Sequence, residues 1–68
     1  MFNRKAVRKA LDKKMLPYAI IEGNIHLLRR GEDGNFSHCI RFIFNRKGQF
    51  VNVDCVTLPE VFGADGNE

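Results

Sequence analysis

Tyr18-Ala19-Ile20-Ile21-Glu22-Gly23-Asn24-Ile25-His26-Leu27-Leu28-Arg29-Arg30 decides the fold, because here the apolar residues stop recurring at helical spacing. Two runs rich in aliphatic residues, Tyr18–Glu22 and Ile25–Arg30, flank Gly23-Asn24, a pair suited to a two-residue hairpin loop. Upstream, the pattern is different. Ala6, Val7, Ala10 and Leu11 follow the i, i+3, i+4 spacing of one helical stripe. Asn3 is placed as its N-cap, Phe2 and Val7 as a hydrophobic staple, and Pro17 disfavours helix at Leu16.

Downstream, Gly31-Glu32-Asp33-Gly34-Asn35 reads as a looser connection into a third strand, Phe36–Phe44. Asn45-Arg46-Lys47-Gly48 turns the chain into a fourth, Gln49–Val56. Thr57-Leu58-Pro59-Glu60 matches a capping box for one helical turn through Phe62, with Gly63 as its stop. The expectation is one α+β domain over residues 1–63: an N-terminal amphipathic helix on a four-stranded antiparallel meander, then a short helical turn. Residues 64–68 are expected to fray.

Alternation puts apolar residues on both faces of that sheet. In the second hairpin Ile40, Phe42 and Phe44 fall on one side and Cys39 and Ile43 on the other; in the first, Ile20, Ile25 and Leu27 oppose Ala19, Ile21 and Leu28. One helix cannot cover both. The second face therefore calls for a partner or a homodimer mate, or else for Leu58, Val61 and Phe62 folding across it. The second hairpin has two candidate registers. A two-residue turn sets Phe42 opposite Val51 and Cys39 opposite Asp54; a bulge at Gly48 sets Phe44 opposite Phe50 and Cys39 opposite Cys55. Glycine at the fourth turn position favours the second.

Charge is distributed unevenly. The chain has eleven Lys and Arg and eight Asp and Glu, a net charge of +3. Six of the bases, Arg4, Lys5, Arg8, Lys9, Lys13 and Lys14, fall in the first fourteen residues against Asp12 alone, so this segment carries +5. The remainder carries −2, with Asp54, Glu60, Asp65 and Glu68 in a final stretch that has no base. Like charges at Arg4–Arg8, Lys5–Lys9 and Lys9–Lys13 each cost a helix about 0.2–0.5 kcal/mol. Arg4 and Lys5 also oppose the positive end of the helix dipole. A helix that accepts these costs is suited to meeting an anion, and nucleic-acid phosphates are the extended anion it fits.

A second basic cluster, Arg46-Lys47, sits between Phe44 and Phe50. Rings beside basic residues are how single strands are held, although Phe42, Phe44 and Phe50 are better suited to a core and Arg46-Lys47 to an ordinary exposed turn.

Other chemistry finds little support. A domain of 68 residues buries about 60% of its unfolded surface and has little material for a deep cleft. His26, His38, Cys39 and Cys55 lack paired metal-ligand spacing, so no metal or other cofactor is expected. Ser37 is the only serine, and strand alternation is expected to aim His38 away from it. Gly31-Glu32-Asp33-Gly34 puts acids where a phosphate loop needs backbone amides and a lysine. No catalytic residue is assigned and no enzyme is expected. The start, Met-Phe-Asn-Arg-Lys, leads into charge, and no apolar run is long enough to span a bilayer, so a cytoplasmic protein with reduced thiols is expected.

Two functions fit. The first is nucleic-acid binding through Arg4, Lys5, Arg8, Lys9 and Lys13, with Arg46 and Lys47 as a second contact. The alternative is a protein-binding regulator or inhibitor, of the kind mobile elements often encode. It would act on an acidic protein surface or through an apolar sheet face or edge strand.

Overall fold

The computed structural model describes residues 2–62; the expected Gly63 stop and the 64–68 tail lie outside the described residues. Its elements are α1 (Arg4–Lys13), β1 (Tyr18–Ile21), β2 (Asn24–Arg30), β3 (Phe36–Phe44), β4 (Phe50–Thr57) and α2 (Leu58–Phe62). The strands form one antiparallel sheet in the order β1-β2-β3-β4. This is the α+β meander the sequence implies. Among the described residues no helix is long and apolar enough to cross a membrane.

Both ends of α1 are capped. Asn3 Oδ1 accepts from the Ala6 amide at 2.8 Å, which satisfies one of the donors a helix start leaves free. At the other end the Leu16 amide donates to Leu11 and the Met15 amide to Asp12. This pair of bonds is a Schellman motif. Met15 takes the left-handed position there, with φ +57°, where glycine is usual. The motif folds Leu16 back against the core that contains Leu11. Phe2, placed by the sequence to staple onto Val7, turns its ring edge-to-face on Phe50, with centroids 4.7 Å apart.

The first hairpin closes one residue earlier than expected. Ile21 pairs with Asn24, leaving Glu22-Gly23 as the loop, with φ +53° and +83°. Two positive φ values make the turn whose twist matches a hairpin. Asn24 joins the strand because its side-chain oxygen accepts from the Phe44 amide at 3.0 Å.

The second hairpin starts in the bulged register, with Gly48 at φ +83° and Phe44 opposite Phe50. A second irregularity follows at once: Val51 is left over, and Ile43 pairs with Asn52. Every later pair is therefore displaced by one. Cys39 faces Val56 and Cys55 faces Ile40, which puts the two thiols on opposite faces and excludes them as cross-strand neighbours. Both are free, Cys39 buried and Cys55 exposed. Burial, and secondarily the charge of Cys55, push the Cys39 thiol above its ordinary pKa.

The core lies between α1 and the sheet: Val7 and Leu11 meet Ile25, Leu27 and Phe44, with Leu16, Tyr18, Ile40 and Phe42 packed around them. On the other face, His26 and Cys39 are buried and Leu28 and Ile43 are half-buried. The short α2 packs on β3 and β4, and its Leu58 and Val61 are half-buried. The capping box forms as read: the Thr57 amide donates to Glu60 Oε1 at 2.6 Å, and Thr57 Oγ1 receives the Glu60 amide. The more exposed apolar residues of the sheet, Ile20, Phe50, Val51 and Val53, lie instead on its two edge strands.

Candidate nucleic-acid interface

Backbone contacts join the start of α1 to the β3–β4 turn. The Arg4 amide donates to the Gly48 carbonyl at 2.8 Å, and Asn3 bridges to Gln49. The turn itself is held by Asn45, whose side-chain oxygen accepts from the amides of Lys47 and Gln49, both at 2.9 Å. Side-chain acceptance two residues onward is what makes Asn a turn former. It leaves Lys47 fixed beside the helix.

The result is an open groove of about 670 Å³ lined by Asn3, Arg4, Lys5, Arg8, Lys9, Asp12, Lys47 and Gly48. Five of these residues are bases and one is an acid. The first turn of α1 contains no carboxylate, so the partial positive charge of the helix end adds to the side-chain charge. Asp12 is engaged by the Tyr18 hydroxyl, which donates to it at 2.6 Å. Among the described residues the single salt bridge is Arg41–Asp54, and it takes no base from the groove. Of the C-terminal acids, Asp54 is held by Arg41 and Glu60 by Thr57, while Asp65 and Glu68 lie outside the described residues.

The predicted binding residues divide into three groups. Lys5, Arg8, Lys9 and Lys47 are exposed and line the groove. Arg4 also lines it, but its side chain is committed to the fold. Its Nε donates to the Gly23 carbonyl at 2.8 Å, its Nη2 to the Asn45 carbonyl at 3.3 Å, and its guanidinium lies 5.9 Å from the Phe44 ring centre. One arginine thus ties the helix start to both hairpin turns. Lys13 borders a neighbouring shallow depression with Ala6, Lys9, Ala10 and Asp12, and Arg46 stands exposed in the turn, outside the lining of either.

The rings read from the sequence also separate. Phe44 is buried beneath Arg4 and cannot receive a base. Phe50 remains 38% exposed against Phe2, which is 54% exposed. Phe2 meets Phe50 through the backbone contacts of Asn3 with Gln49 and Arg4 with Gly48, which no local pattern in the sequence discloses.

Elsewhere, Ser37 Oγ lies 2.8 Å from His38 Nδ1, nearer than strand alternation implied. The residue opposite His38 is Thr57, and Asp54 lies opposite Arg41, so no acid completes that pair through register. No group of three or more His, Cys, Asp or Glu able to hold a metal occurs among the described residues. Comparison with family models, with curated proteins and with solved structures finds no match to this chain.

Proposed function

We propose that this protein is a small cytoplasmic, non-enzymatic binder of nucleic acid, holding phosphates in the groove between α1 and the β3–β4 turn. One observation carries the reading. Lys47, remote in sequence, is brought beside Lys5, Arg8 and Lys9, and none of the four has a salt-bridge partner among the described residues. Like charges held together this way destabilise a small domain slightly, and an anion in the groove offsets that. Lys13 and Arg46 extend the positive field at either end, and Arg4 orders the groove floor.

The test is the double substitution Arg8→Glu with Lys9→Glu, read as affinity for labelled DNA and RNA. Taking a cation away from a phosphate weakens binding and lowers its salt dependence, so reversing two charges is expected to cost about 100-fold or more at low salt. Both side chains are exposed, and the circular dichroism spectrum should be unchanged. Undiminished binding rules the groove out.

A second reading rests on β4. It is an edge strand of eight residues with Phe50, Val51 and Val53 exposed, and its one charge, Asp54, is paired. Long uncharged edges invite strand addition by another chain or a second copy. A protein-binding regulator or inhibitor would use it. Val53→Lys should then abolish association with a protein partner and leave nucleic-acid binding intact.

A further inference from the structure

Phe2 and Phe50 form an exposed aromatic pair beside the junction of α1 with the β3–β4 turn. Their rings meet edge-to-face at 74°, with centroids 4.7 Å apart. Behind them stand Phe42, 6.3 Å from Phe2, and Phe44, 6.2 Å from Phe50. The position of the pair is fixed from the backbone. Asn3 and Gln49 are bridged, and Phe2 and Phe50 are the residues next to them. Asn3 and Gly48 line the groove itself, so the rings and the bases belong to one junction. Both rings lie outside the buried cluster that contains Phe44 and keep much of their surface exposed.

We propose that the groove selects single-stranded nucleic acid. A base stacks on the Phe2–Phe50 pair while the adjoining phosphates lie along Lys5, Arg8, Lys9 and Lys47. The chemistry is that of sequence-tolerant single-strand binding, in which any base offers a π-face and the backbone is met by cations. A duplex keeps its bases stacked inside and offers the rings nothing. This inference rests on the phosphate-binding role proposed for the groove and adds to it the strand form of the ligand.

Three labelled probes of equal length separate the two: a single-stranded oligothymidylate, an abasic strand with the same sugar–phosphate backbone, and a duplex. The protein is expected to bind oligothymidylate about tenfold more tightly than the abasic strand. Phe50→Leu, which keeps an apolar side chain but removes the ring, should erase that difference and leave duplex affinity unchanged. Equal binding of the oligothymidylate and abasic strands by the unaltered protein overturns the inference while the phosphate reading survives. Failure of all three probes to bind overturns both. The first comparison needs no variant, so it decides the matter even if Phe50→Leu does not fold.

Discussion

On the face of the sheet away from α1, Arg41 and Asp54 meet in a two-pronged pair, Nε to Oδ1 at 2.9 Å and Nη2 to Oδ2 at 2.6 Å. At the α1 end, Lys5, Arg8, Lys9 and Lys47 stand together, and none of them forms a salt bridge among the described residues. Both regions are built from ordinary surface charges, yet one is closed and the other open. Where charge serves the fold, the chain supplies its partner from the neighbouring strand, as Asp54 does, or from a cap, as Glu60 does. Where it supplies none and still concentrates one sign, the proposed function makes phosphate the partner. Arg4 marks the boundary between the two uses, because it faces the groove yet bonds to the carbonyls of Gly23 and Asn45.

Replacing Arg4 breaks the comparison most severely. Arg4→Met removes two charge-assisted bonds to backbone carbonyls and is expected to cost about 2 kcal/mol in urea unfolding. Its effect on nucleic-acid affinity should be smaller than that of Arg8→Glu. An Arg4 variant of unchanged stability would place Arg4 with the free bases instead.

Lys9→Glu should move stability and binding in opposite directions. It turns the like-charge pairs with Lys5 and Lys13 into attractive ones and the Lys9–Asp12 attraction into a repulsion, a net gain in helix stability of about 0.5 kcal/mol. Affinity should fall about tenfold. A variant that loses both stability and binding would show Lys9 to be structural.

The paired face offers the smallest effect, a pH dependence. The hydrogen bond from Arg41, and after it the Arg41 charge, hold the Asp54 carboxyl below its ordinary value. The backbone and side chain of Thr57 do the same for Glu60. A carboxylate whose folded pKa is depressed contributes stability above its unfolded value, about 3.9 for Asp, and loses it as pH falls through the folded one. Urea midpoints of the unaltered protein should therefore drop below about pH 4, and Asp54→Asn should flatten that acid limb. The pair is solvent-accessible, which keeps its contribution small. An acid limb unchanged in Asp54→Asn would remove the pair from the account of stability.

What the sequence discloses is what is encoded locally. Asn3 as a cap, Thr57 to Glu60 as a capping box, the switch of period after Pro17 and the crowding of bases before Met15 are all signals within a few residues. What it hides depends on residues far along the chain. The loop at Glu22-Gly23 is displaced by the bond between Asn24 and the Phe44 amide. The Val51 bulge separates the cysteines, and no short motif announces it. Met15 in a left-handed cap departs from glycine preference because the core recruits Leu16. At the site, the bases were legible, but the division among them was not. That Arg4 is bound to the fold, that Lys47 joins the helix and that Phe2 meets Phe50 all follow from the junction of α1 with the β3–β4 turn.

The most direct measurement of the groove is a salt titration of affinity for a labelled single strand between about 50 and 200 mM salt. Four phosphate contacts, from Lys5, Arg8, Lys9 and Lys47, predict that log affinity falls with log salt at a slope of about −3. A slope near zero, or no binding at the lowest salt, would contradict the assignment of those four side chains to phosphate.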